Sequence, residues 1–254
     1  MRFQLGRAFC VAFVVLASRA AYADTVLYST GFESPAFTTG AISGQNGWSV
    51  FGPGTSSVEN FFADTGSQAV FVDGGAASQS GPYYALSSSG PLIDLSADSA
   101  IFSSSTETQW QFGALGAGLV GYLGGVNIET NGNIEAITAG FPVIGTFTKA
   151  TGFNSSAWQS IDLLFDIATQ TYNISLNGTL LASNVPFCGS NAGGCTGANR
   201  SFGDAFFDSF GGGNDSGYID NLSIVSVSAP EPSMIFPIAA GLAGIGMALR
   251  RRLS

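Results

Sequence analysis

The chain has 254 residues, 8 Lys and Arg against 17 Asp and Glu, no histidine and a formal net charge of −9; between residues 24 and 229, sixteen carboxylates face only Lys149 and Arg200, a net −14. A domain so charged repels phosphate, which argues against any nucleic-acid partner, and the absence of histidine excludes Ser-His-Asp and Cys-His catalysis and every imidazole metal site. Charged residues make up 10%, against roughly 25% in an ordinary soluble domain, and the 35 glycines are about twice the usual share, the profile of a turn-rich, exported β protein.

Residues 1–23 read as an export signal. Arg2 and Arg7 form the basic start, Ala8 to Ala17 the apolar stretch, and Ala21-Tyr22-Ala23 the small-residue cleavage site, so the mature chain is expected to begin at Asp24. About ten apolar residues are too few to span a bilayer as an uncleaved anchor.

Residues 24–229 carry short alternating runs and no long stripe of period 3.6. Strands are predicted over 25–29, 68–72, 108–112, 118–122, 126–130, 134–138, 159–166, 171–176, 179–183 and 218–227, separated by Gly, Ser, Asn and Asp clusters. Without crossover helices, the expected fold is an all-β antiparallel sandwich. Asn177-Gly178 marks a tight two-residue hairpin, since both residues tolerate positive φ. At Asn131-Gly132-Asn133 a two-residue loop would set Ile128 against Glu135. A three-residue loop is preferred, pairing Ile128 with Ala136 and Glu129 with Glu135, because it separates an apolar face from a polar one.

Cys188 and Cys195 remain once Cys10 leaves with the signal, and in an exported chain the pair is expected to close a small loop as a disulfide, the alternative being two free thiols. At the other end, Pro230-Glu231-Pro232 precedes sixteen apolar residues, 234–249, and then Arg250, Arg251 and Arg252. The apolar run measures about 24 Å as a helix, short of the ~30 Å hydrocarbon core, so it anchors the chain only loosely in the inner membrane. The arginines hold its end on the cytoplasmic side and leave the domain outside.

The order Pro-Glu-Pro, short apolar helix, basic cluster and chain end resembles the bacterial PEP-CTERM sorting signal. That resemblance implies an exosortase-type partner enzyme that reads the motif and removes the tail 230–254, and a setting rich in exopolysaccharide and biofilm. An ordinary C-terminal anchor is the alternative.

The stretch 158–178, with Gly31-Phe-Glu33, Gly44-Gln-Asn-Gly-Trp48 and Gly217-Tyr-Ile-Asp-Asn-Leu-Ser-Ile224, resembles concanavalin A-like and laminin-G-like jelly rolls. The resemblance implies a jelly-roll β-sandwich over 24–229. Calcium-binding jelly-roll modules further imply a structural Ca²⁺ held by Glu33 and Asp220, with Asp215 as a third ligand or a turn residue; solvated loop acids are the alternative.

Laminarinase-type enzymes of this fold carry Glu-x-Asp-x-x-Glu, a string absent here. Glu129 and Glu135 are the best remaining acid pair and read as a solvated polar face, so no catalytic residue is assigned. For a polysaccharide ligand, Tyr83 and Tyr84, expected in a loop after Gly81-Pro82, are the aromatic pair placed to stack on sugar; Trp48, Trp110 and Trp158 read as core, alternation burying Trp158. The sequence thus points to an exported, non-enzymatic structural or polysaccharide-binding sandwich, with a glycoside hydrolase or lyase on the same fold as the alternative.

Overall fold

The computed structural model describes residues 24–74, 80–88, 90–102, 109–116, 120–129, 133–137, 146–147, 156–187, 201–210 and 216–228. In chain order the strands are β1 (Thr25–Thr30), β2 (Gly40–Ala41), β3 (Trp48–Phe51), β4 (Thr55–Glu59), β5 (Ala69–Asp73), β6 (Gly81–Ser88), β7 (Leu92–Phe102), β8 (Gln109–Gly116), β9 (Val120–Glu129), β10 (Ile134–Ile137), β11 (Thr146–Phe147), β12 (Gln159–Asp166), β13 (Thr171–Leu176), β14 (Thr179–Pro186), β15 (Phe202–Phe210) and β16 (Ser216–Val227).

They form two antiparallel sheets. One runs β14-β13-β12-β7-β16-β5-β4-β2, with β1 also paired to β16; the other runs β11-β10-β9-β8-β15-β6-β3. Alternation along each strand aims one set of side chains at the opposite sheet. In β12, Ile161, Leu163 and Phe165 are buried between the sheets while Asp162, Leu164 and Asp166 face away. In β8, Trp110, Phe112 and Ala114 meet the same core.

Tyr172 of β13 ties the two sheets together. Its hydroxyl crosses the core to donate to the carbonyls of Gly125 (2.8 Å) and Ile137 (3.0 Å), and burial pushes its pKa far above the ordinary tyrosine value.

The antiparallel sandwich is as expected, and β12 and β13 begin and end where their alternation does. Asn177 (φ 49°) and Gly178 (φ 72°) form the two-residue turn between β13 and β14. Three expectations need correction. The runs 118–122 and 126–130 belong to one strand, β9, whose Gly124-Gly125 reads as a break but pairs with Ala114 and Gly113. Trp158 is half-buried outside the core, stacked on Phe62 at 5.2 Å, because the inward set of β12 starts at Gln159 and continues through Ile161. Tyr83 and Tyr84 lie on a strand, β6, paired on both sides by β15 and β3.

Candidate binding face

The face of the seven-stranded sheet turned away from the core carries chemistry. Register aligns Glu135 of β10 with Asn127 of β9, Asn127 with Gln111 of β8, and Gln111 with Asp208 of β15. Four polar side chains therefore form one row across four strands, because residues directly opposite in a ladder share a face. Asn127, Gln111 and Asp208 are buried and Glu135 is partly exposed.

The next row contains Ile137, Gly125, Gly113, Phe206 and Tyr83. Gly113 and Gly125 keep the floor low: a Cβ on Gly113 would stand 2.4 Å from the Gly124 carbonyl, and one on Gly125 would stand 2.5 Å from that of Phe112. Aromatic rings border it. Tyr122 packs edge-on against Phe206 at 5.5 Å and Phe51 lies 6.2 Å from Tyr83. Leu115, Ile137 and Phe206, with Phe51, Tyr83 and Tyr122 against them, make an apolar cluster separate from the main core. Buried polar side chains beside partly exposed aromatic rings give an acceptor-rich floor with an aromatic rim.

The polar row depends on hairpin register. Ile134 pairs with Ile128 and Glu135 with Asn127, and the Glu129 N–H donates to the Asn133 carbonyl, so the paired ends stand three residues apart in the sequence. The expected separation of an apolar from a polar face holds, but the pairing of Glu129 with Glu135 does not. The observed register gives each carboxylate an amide: Asn127 Nδ2 donates to Glu135 at 3.2 Å and Asn133 Nδ2 to Glu129 at 2.8 Å. It avoids like charges directly opposite one another, which destabilise a ladder.

The two tyrosines part company. Tyr84 faces the core, stacked on Tyr28 at 3.8 Å and near Trp48; Tyr83, one residue earlier, faces the polar row. Gln111, Asn127, Asp208, Phe206 and Tyr122 belong to the site and escaped sequence reasoning. The sequence-level sign was faint: Asp204 and Asp208 in Phe202-Gly-Asp-Ala-Phe-Phe-Asp208, set at even spacing among aromatics.

Glu33 and Asp220 do come together, on either side of Gly31: a Cβ there would lie 3.7 Å from Asp220 Oδ1 and 3.9 Å from Glu33 Cγ. The groups aimed at their oxygens are donors. Glu33 Oε1 accepts the N–H groups of Ser67 (2.7 Å) and Gln68 (2.9 Å), and Oε2 the Ser67 hydroxyl (2.7 Å). These donors, the Ser67 hydroxyl first, hold Glu33 below the usual carboxylate range. Asp220 Oδ2 accepts the N–H groups of Asp64 (3.1 Å) and Thr65 (3.2 Å), and Oδ1 that of Asn221 (2.8 Å). Burial nonetheless pushes Asp220 up to about 6, partly offset by those N–H groups and reinforced by the Asp64 charge. Backbone N–H groups and the Ser67 hydroxyl thus bring positive dipole ends to the two carboxylates for which the sequence names Ca²⁺. Among the described residues, no group of three or more Asp, Glu, Cys or His side chains fits a metal ion.

Ala21, Ala23, Cys188, Cys195, Asp215, the Pro230-Glu231-Pro232 motif, the run 234–249 and Arg250 to Arg252 lie outside the described residues. Among the described residues no helix is long and apolar enough to cross a membrane.

No family model matches the chain, and no curated protein matches it. Solved structures do. A sialidase superposes with a TM-score of 0.54 at 8% identity, covering 77% of this chain, which spans 18% of that protein's length. The Emp47p carbohydrate recognition domain superposes with a TM-score of 0.52 at 9% identity, covering 83% of this chain and 100% of that one. The CBM22-1 xylan-binding domain of Xyn10C from Paenibacillus barcinonensis matches more distantly, at a TM-score of 0.44 and 13% identity, over 83% of this chain and 100% of that one. At such identity the sialidase and Emp47p likenesses speak to the fold alone: an antiparallel sandwich of jelly-roll type.

Proposed function

We propose that this chain is an exported, non-enzymatic polysaccharide-binding module, delivered to the cell surface or extracellular matrix through its C-terminal signal. The binding part rests on the row Glu135-Asn127-Gln111-Asp208 beside the rings of Tyr83, Tyr122, Phe206 and Phe51. A sugar offers an apolar ring face to aromatics and hydroxyls to carboxylates and amides, and this surface supplies both partners. The fold is also one that a carbohydrate recognition domain uses.

Binding is favoured over hydrolysis by the spacing of the acids. A glycosidase sets two carboxyls about 5–10 Å apart. Along the row, Glu135 and Asp208 stand three strand spacings apart, about 14 Å between backbones, while Glu129 and Glu135 are each occupied by an asparagine amide.

The delivery part rests on the two ends of the sequence. The apolar run 234–249 parks the chain in the inner membrane, Arg250 to Arg252 resist translocation, and an exosortase-type enzyme reads Pro230-Glu231-Pro232.

Sedimentation of the full chain with insoluble polysaccharides, with reducing ends assayed in the same tubes, tests the binding reading. Retention without release of reducing ends is expected, with Tyr83→Ala weakening retention and leaving thermal unfolding nearly unchanged. Release of new reducing ends would transfer the chain to the hydrolases. Retention by none of the polysaccharides would remove the binding reading.

A further inference from the structure

We infer that Tyr28 and Tyr84 form an oxidative cross-linking site: a peroxide-driven one-electron oxidant couples their rings into a dityrosine that joins the two sheets covalently. The site is independent of the glycan reading above.

Tyr28 lies on β1 of the nine-stranded sheet and Tyr84 on β6 of the seven-stranded one. Their rings are nearly parallel, 17° apart, with centroids 3.8 Å from each other. Ordinary aromatic pairs keep their centroids about 4.5–7 Å apart, so these two are pressed face to face. Among the described residues this is the one contact between two tyrosine rings; Tyr83, Tyr122, Tyr172 and Tyr218 meet phenylalanines.

Two neighbours hold the stack. Trp48, itself buried, donates its Nε1–H to the Tyr28 hydroxyl oxygen at 2.9 Å, and its ring lies 5.7 Å from that of Tyr84. Gly47, at a φ of 86°, lets the backbone pass close by: a Cβ there would stand 3.4 Å from Tyr84 Cε2. Both tyrosines are partly exposed, so a small oxidant reaches the rings and released protons reach water. Burial raises the Tyr28 pKa; the Trp48 N–H opposes that rise and Tyr84 adds to it, so the hydroxyl ends stand close enough for the charge on one to act on the other.

In the reaction each phenol loses one electron and one proton, giving two tyrosyl radicals with unpaired density on the ring carbons beside the hydroxyl. One such carbon from each ring joins the other; the hydrogen on each coupling carbon leaves as a proton, and each oxygen takes one up. One hydrogen peroxide accepts the two electrons and two protons and becomes two waters. Rings already in contact replace the encounter of two separate radicals by a step within one molecule. The new bond ties residue 28 to residue 84 and restricts the unfolded chain, as a disulfide does.

The test treats the dilute full chain with a haem peroxidase and hydrogen peroxide, isolates the monomer under denaturing conditions and maps its peptides by mass. A monomer lighter by two hydrogens is expected, with dityrosine fluorescence and a cross-linked peptide pair holding Tyr28 and Tyr84. Its melting temperature should rise by several degrees. Tyr28→Phe and Tyr84→Phe should each abolish dityrosine in the monomer. Tyr84→Phe keeps the Trp48–Tyr28 hydrogen bond and serves if Tyr28→Phe unfolds the chain. Tyr218→Phe, on the outer face of the nine-stranded sheet, should leave the yield unchanged.

Dityrosine confined to dimers and larger species, bonds between other tyrosines, or a monomer yield that survives Tyr84→Phe would overturn the inference. So would a chain recovered unchanged from a tube in which free tyrosine is converted to dityrosine.

Discussion

Asn127 and Glu135 face each other across β9 and β10, and the amide of the first donates to the carboxylate of the second at 3.2 Å. This contact fixes hairpin register and sets the start of the polar row. Asn127→Asp replaces the donor by a second carboxylate directly opposite Glu135. It should lower stability at neutral pH by about 1–2 kcal/mol, and added salt should recover part of the loss. Urea unfolding of both chains at low and high salt checks this; an unchanged midpoint would mean that the pair does not set the register.

Tyr172 gives a second expectation. Tyr172→Phe leaves the Gly125 and Ile137 carbonyls without their shared donor inside the core. The loss should be about 1–3 kcal/mol, read as a shift in the urea midpoint without a change in slope. Because both carbonyls belong to strands of the binding face, the variant should also bind glycan more weakly than its stability alone explains.

How far the sequence discloses this molecule varies with how strongly each segment alternates. β12 and β13 carry Ile161, Leu163, Phe165, Tyr172 and Ile174 inward, and their bounds follow from that pattern. β7 and β15, in the middle of the two sheets, carry no legible strand pattern. In β7 the inward positions shrink to Ala97 and Ser99 and the outward ones hold Asp94 and Asp98, so the contrast fades. In β15 every residue from Phe202 to Ser209 is buried, and the alternation of Ala205 and Phe207 with Asp204, Phe206 and Asp208 does not register as hydrophobic against polar. With β15 unseen, no sequence argument joins Gln111 to Asp208, since that pairing exists only through sheet order. Glu33, after the first strand, and Asp220, within the last, are legible as a pair only through the resemblance to calcium-binding jelly-roll modules, and the N–H groups of residues 64–68 that serve them lie in a segment with no distinctive pattern.

Asp220 makes a pH prediction. Its folded value, about 6, exceeds that of an unfolded aspartate, so the folded state holds the proton more tightly. Its contribution to stability is greatest below the unfolded value and is lost as pH rises through about 6. Asp220→Asn keeps the neutral form at every pH. The melting temperature of wild type relative to Asp220→Asn should therefore fall between pH 5 and pH 7.5; a difference constant with pH, or growing with it, would contradict the assignment.

The donors around Glu33 and Asp220 also bear on Ca²⁺. With backbone N–H groups as the counter-charge, chelator should move the melting temperature at pH 7.5 by less than about 1 °C, while Glu33→Gln, which lacks one acceptor oxygen, should lower it by several degrees. A fall of several degrees on chelation, reversed by added Ca²⁺, would place a cation between these carboxylates after all.

Delivery can be tested apart from binding. Glu231→Gln preserves the apolar run and the arginines but removes the one charge between residue 221 and Arg250. Under the sorting proposal the variant accumulates in the inner membrane with Ser254 in place, while wild type loses its tail. Wild type that also keeps Ser254, in a host that has the sorting enzyme, would reduce the segment 230–254 to an ordinary anchor.

The central claim is that glycan lies on the second face of the seven-stranded sheet, and hydroxyl-radical footprinting tests it most directly. The full chain is oxidised with and without the polysaccharide that it retains on sedimentation. Protection of Tyr83, Tyr122 and Phe51 is expected, with Phe61, 85% exposed and outside that sheet, oxidised equally in both samples. Protection of Phe61, Phe62 and Trp158 with Tyr83 and Tyr122 unchanged would place the ligand on the other sheet and contradict the account.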